Sequence, residues 1–188
     1  MAATREILSA ETTVSAALAH DPTQLECPIA FLGTPRKAPK ALCLPNGMVT
    51  LNDQQPLSER QCAGLSCTFA EFVSLLNTFV YFWPGTIDEP KPPRDLASSF
   101  RDKYREYGCL RVPTADLWAD DSQPLFCGYN SGAPQARDRL TRGPELFASN
   151  TQTSLKTEFV AEVVFANRIS LPATSQWRIG FDAAWEFL

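Results

Sequence analysis

The placement of proline constrains this chain more than any other feature. Of 15 prolines, five fall at Pro22, Pro28, Pro35, Pro39 and Pro45, and four more within Pro84–Pro93. Each locks φ near −65° and removes a backbone donor, so residues 21–48 cannot form a regular helix and are poor central strands. Short extended pieces at 27–32 and 40–44, or a loop, are expected there, and 84–93 is expected to be a loop. Regular structure is therefore pushed into the windows between.

In those windows the periodicity is readable. Residues 4–19 carry Ile7, Leu8, Val14, Ala17 and Leu18 near helical spacing. Residues 47–52 alternate as a strand. Ser58 with Gln61 fits the cap of a short helix, and Thr68 with Glu71 repeats the device for a helix over 69–77. Thr78-Phe79-Val80-Tyr81-Phe82-Trp83 is the strongest strand, rich in β-branched and aromatic residues. Both its faces are apolar, which predicts a central strand or core packing.

Further along, 94–107 reads as a helix closed by Gly108, 109–113 and 125–129 as strands, and 114–119 as one helical turn. Residues 158–169 alternate over a long strand, and 180–188 are expected to be a strand or short helix. Helices and strands do not alternate regularly, so a doubly wound sheet is not expected. The expected fold is a single α+β domain over residues 1–188: a small mixed or split β-sheet of five or six strands with two to three helices.

Composition narrows the function classes. At 188 residues with 44% hydrophobic and 20% charged residues, the chain can bury a core. Its net charge of −4 supplies no global attraction for nucleic acid or anionic membranes. No signal peptide or membrane-length apolar run is evident, which predicts a cytoplasmic protein. The six cysteines form no C-x-x-C pair, and the single histidine, His20, cannot complete a zinc site with them. G-x-G-x-x-G and P-loop fingerprints are also absent.

The informative segments are Asn52-Asp53-Gln54-Gln55-Pro56-Leu57, Leu76-Asn77 with Val80-Tyr81-Phe82-Trp83, Tyr129-Asn130-Ser131-Gly132-Ala133, Pro144-Glu145-Leu146-Phe147, and the strand around Glu162. Together they resemble a bacterial family of unknown function. Its members carry a Gln-Pro motif, an LN-x-x-[VI]-[FY]-F-W strand and an N-[ST]-G loop in this order. The resemblance covers roughly residues 47–170. That family is in turn similar to the ADP-ribosyltransferase superfamily, which includes NAD-using bacterial toxins built on a small split sheet.

The resemblance implies NAD as cofactor, Glu162 as catalytic carboxylate and Tyr81 as the aromatic against nicotinamide. It further implies an unknown acceptor, protein or nucleic acid, and an antitoxin-type partner. Asn52, Gln54, Asn130, Ser131, Gly132 and Arg137 are the remaining candidate cofactor-binding residues. The pattern departs at its start, where the expected histidine strand has no counterpart, so an inactive member is also implied.

Each residue has a structural alternative. Glu162 lies between valines on its own strand face, so it needs a partner unless it sits on an edge facing water. Tyr81 serves equally as core. Asn52 and Gln54 could hydrogen-bond a ligand amide or support the turn before Pro56. The Asn130-Ser131-Gly132 turn could offer N–H groups to an anion, with Arg137, Arg139 and Arg142 following, or be a solvated loop. The two function classes left open are an ADP-ribosyltransferase-like enzyme and a non-catalytic ligand- or partner-binding module.

Overall fold

A computed structural model describes residues 12–14, 33–44, 47–51, 53–54, 57–62, 64–85, 108–117, 123–132, 142–149, 156, 159–180 and 182–188. The strands in order are β1 (Thr12–Val14), β2 (Lys40–Leu44), β3 (Gly47–Leu51), β4 (Phe79–Phe82), β5 (Gly108–Arg111), β6 (Leu125–Cys127), β7 (Glu162–Ala166), β8 (Arg168–Ser170), β9 (Gln176–Ile179) and β10 (Glu186–Phe187). The helices are α1 (Phe69–Asn77) and the single turn α2 (Thr114–Leu117), with 3-10 turns at Glu59–Gln61 and Pro144–Leu146. The α+β class holds. In place of one small mixed or split sheet, the described residues form four small sheets: β1–β8, β2–β3, β4–β7–β6 and β10–β9–β5. All their strand pairings are antiparallel.

α1 starts where the sequence says it should. Thr68 accepts from the Glu71 backbone N–H while the Glu71 carboxylate accepts from the Thr68 N–H at 2.8 Å, so both orphan donors are satisfied. Its buried face is Phe72, Val73, Leu76 and Asn77. That face packs on β4–β7–β6, where it meets Phe79, Val164 and Cys127. The opposite sheet face buries Val80 and Phe165 with Leu117 and Ile169. Each strand alternates between these two cores, because successive side chains of a strand point to opposite sides.

Several local expectations are corrected. Thr12–Val14 pair with β8 rather than continuing a helix over 4–19; three consecutive β-branched residues favour an extended chain. The long strand at 158–169 is broken by Asn167, which takes the left-handed conformation (φ 60°) that asparagine tolerates well. Its N–H donates to the Thr78 carbonyl at 2.7 Å, tying the break to the end of α1. Ser58 precedes a 3-10 turn but gives it no side-chain cap. The aromatic strand β4 is covered on both faces as expected. Among the described residues, however, its only ladder is with β7, and β7 is the middle strand. The expected helix at 94–107 and the extended piece at 27–32 lie outside the described residues.

Candidate functional site

The β4–β7–β6 register decides which side chains meet. Tyr81 stands opposite Val164, and Cys127 opposite Glu162. Phe79, Tyr81, Leu125, Cys127, Glu162 and Val164 therefore share the face covered by α1. A carboxylate there is surrounded by apolar side chains, and Glu162 is only 3% exposed. It is neither an edge residue nor a solvent-facing one.

What holds it is the turn after β6. Glu162 Oε2 accepts from the Ser131 hydroxyl at 2.7 Å and the Ser131 N–H at 3.1 Å. Ser131 is itself 1% exposed. Two donors from one residue meet the requirement that a desolvated carboxylate be hydrogen-bonded, and they fix the turn over the sheet. Asn130 and Gly132 flank Ser131 and are half-buried.

Tyr81 closes the cluster. Its hydroxyl donates to the Leu76 carbonyl at 3.0 Å, near the C-terminus of α1. Burial pushes the phenol well above its ordinary range, and the nearby Glu162 charge adds to this, while contact with the Ser131 side chain opposes it. Cys127 behaves alike: burial pushes its thiol up to about 12, with Glu162 contributing in the same direction. The site is a polar knot at the boundary of strand, turn and helix end.

Sequence reasoning did not single out Arg142 and Cys127 as parts of this neighbourhood. Arg142, read as a member of a basic loop, is 1% exposed. Its backbone is stitched to 64–66: the Arg142 N–H donates to Gly64 O at 3.2 Å, and Ser66 N–H to Arg142 O at 2.8 Å. Its charge lowers the pKa of both Cys62 and Cys127, against the larger upward effect of burial. Alternation along β6 could have placed Cys127 inward with Leu125. Nothing local marks Arg142 as interior.

The other candidates go elsewhere or lie outside view. Gln54 spends both ends of its amide within the chain: Oε1 accepts from Arg36 N–H at 3.0 Å, and Nε2 donates to Asn77 Oδ1 at 3.2 Å. Arg36 Nη1 donates to the same Asn77 oxygen at 2.8 Å. This network braces the buried Asn77. Asn52 and Arg137 lie outside the described residues. Among the described residues no group of three or more His, Cys, Asp or Glu could hold a metal ion. No helix among them is long and apolar enough to cross a membrane.

These features define an α+β protein with a carboxylate buried on the middle strand of an antiparallel sheet. The chain belongs to a family of unknown function (DUF7002), whose model matches residues 4–171. The match begins well before residue 47, so the N-terminal stretch shares the family pattern, and it takes in every residue of the Glu162 cluster. No curated protein and no solved structure gives a significant match. The family match by itself names no activity.

Proposed function

We propose that this chain is an ADP-ribosyltransferase-like protein that binds NAD, with Glu162 as the carboxylate facing the nicotinamide ribose. The observation that carries the reading is the convergence of Glu162, Tyr81 and the Ser131 turn on one sheet face. A carboxylate fixed by two donors on a rigid strand is preorganised to stabilise a positively charged sugar ring without reorienting during reaction. In such a transfer the bond from ribose C1′ to nicotinamide breaks, its electron pair leaving on nicotinamide. An acceptor nucleophile, on protein or nucleic acid, then bonds to C1′ and gives up its proton. The Asn130–Gly132 turn is the polar surface available to the rest of the cofactor.

The test is calorimetric titration with NAD, followed by turnover with radiolabelled NAD. Absence of binding at millimolar NAD removes the reading. If NAD binds, Glu162→Gln is expected to keep binding and lose release of nicotinamide; retained turnover discards the catalytic role.

One observation favours a second reading. With Glu162 and Ser131 both nearly sealed from solvent, a ligand at the turn meets the exposed Tyr129 and its neighbours before the carboxylate. In that reading the protein is a non-catalytic binding module, and Glu162 is a positioning residue for the turn. NAD binding without nicotinamide release by the unaltered protein distinguishes it.

A further inference from the structure

Glu162 is the centre of the NAD reading, yet it and Ser131 are both nearly sealed from solvent. A carboxylate that acts on a sugar ring must come within hydrogen-bond reach of that sugar. Something covering Glu162 therefore has to give way, and the elements around it differ in how firmly each is held.

Beneath and beside the carboxylate the walls are regular structure. Glu162 belongs to β7, which is laddered on both sides. Cys127 stands opposite it on β6 and is fully buried. Tyr81 comes from β4, and its hydroxyl donates to the Leu76 carbonyl in the last turn of α1 at 3.0 Å. Moving any of these breaks a ladder or a helix end, each held by several hydrogen bonds at once.

The turn after β6 is held differently. Asn130, Ser131 and Gly132 belong to no helix or strand. Ser131 fastens the turn through its hydroxyl at 2.7 Å and its N–H at 3.1 Å, and both bonds end on one oxygen, Glu162 Oε2. There is also space beside it. Among the described residues beyond its chain neighbours, a Cβ added at Gly132 would meet only Asn130 Oδ1, an atom of the turn itself, at 3.8 Å. Tyr129, where the chain enters the turn, is exposed.

The bonds that close the turn are of the kind a ligand supplies. Ribose offers hydroxyl donors, as Ser131 does, and a carboxylate oxygen accepts either. Exchanging one for the other keeps the carboxylate satisfied and in place on β7, while the turn is released.

We propose that the Ser131 turn is a latch on the Glu162 site, closed by its bonds to Glu162 Oε2 and opened when ribose hydroxyls replace them. This latch rests on the NAD reading of the same carboxylate and adds its regulation. The chain holds its own site shut, and apparent affinity is set by the fraction of molecules with the turn open. Ser131 is then a positioning residue that competes with the ligand rather than gripping it.

The experiment is calorimetric titration of NAD into the full chain and into Ser131→Ala, with amide hydrogen exchange of residues 128–132 followed by NMR. Removing the hydroxyl weakens the latch and populates the open form, so Ser131→Ala is expected to bind NAD about tenfold tighter. A variant that merely loosened the fold would bind no better, and circular dichroism checks that it is folded. In the unaltered chain the Ser131 amide is expected to exchange about tenfold faster with NAD bound than without. That measurement does not depend on how the variant folds. Equal or weaker NAD binding by folded Ser131→Ala overturns the latch and leaves the NAD reading standing. Unchanged or slower exchange of the turn on NAD binding does the same. No binding of NAD by the unaltered chain removes the NAD reading, and the latch with it.

Discussion

The two three-stranded sheets, β4–β7–β6 and β10–β9–β5, are built alike and used differently. The first is covered on both faces by apolar clusters and holds one carboxylate inside. The second exposes Ile179 and Phe187 and gathers two arginines on one indole. A buried negative group must be satisfied from within, and the Ser131 turn does this. At the second sheet Arg111 is half-buried and donates to a neutral partner, Gln176, and Trp185 lies against both arginines. Similar backbone thus carries a polar cluster satisfied from within in one sheet and a partly exposed one in the other.

The sharpest way to break the contrast is to truncate apolar groups in both sheets. Phe72→Ala, beneath the first sheet, is expected to cost about 3–5 kcal/mol in chemical denaturation, since Phe72 is fully buried. A cost below about 1 kcal/mol would show that this core is not packed as described. Next in size, Glu162→Gln is expected to cost about 1–3 kcal/mol, because a neutral amide oxygen is a weaker acceptor for the two Ser131 donors than a carboxylate and its NH2 group is brought into a buried site. A double-mutant cycle with Ser131→Ala should reveal coupling; additive losses would separate the two residues.

Alkaline pH probes the same interior. The Cys127 thiol is raised from an ordinary 9.0 to about 12 in the folded chain, and the Tyr81 phenol is raised as well. The folded state holds these protons more tightly than the unfolded state. Stability is therefore full below pH 9 and falls as pH rises from 9 towards 12. A melting temperature unchanged to pH 11 would contradict the burial of this cluster. Thr68→Ala should cost about 1 kcal/mol by removing the α1 cap. Smallest of all, Phe187→Ala at the second sheet is expected to stay within about 0.5 kcal/mol. A larger loss there would mean that the two sheets are less different than their exposure indicates.

Legibility in the sequence followed the range of the interactions. α1 was readable to the residue, because Thr68, Glu71 and the Phe72–Val73–Leu76 face are local signals. β4 was readable from its β-branched and aromatic content, whereas the valines flanking Glu162 left open whether it faced inward or stood on an edge facing water. The strand at Thr12–Val14 was hidden by an apolar spacing that also suits a helix, since its partner Arg168–Ser170 lies far along the chain. The break at Asn167 was equally hidden: asparagine occurs in many conformations, and only its bond to Thr78 selects this one.

By itself the sequence determined where helices cannot be, where α1 begins, and which residues of β4 and β7 share a face. These depend on backbone sterics, capping and a two-residue period, all of which act within a few positions. Tertiary structure alone decided that Ser131 would satisfy Glu162 across 31 residues, and that Gln54 would turn inward to Asn77 rather than outward. It also drew Arg142 out of a basic run into the interior. The reason is physical. Once water is excluded, each polar group takes whatever partner the folded chain brings within hydrogen-bond reach, and no local pattern encodes that choice.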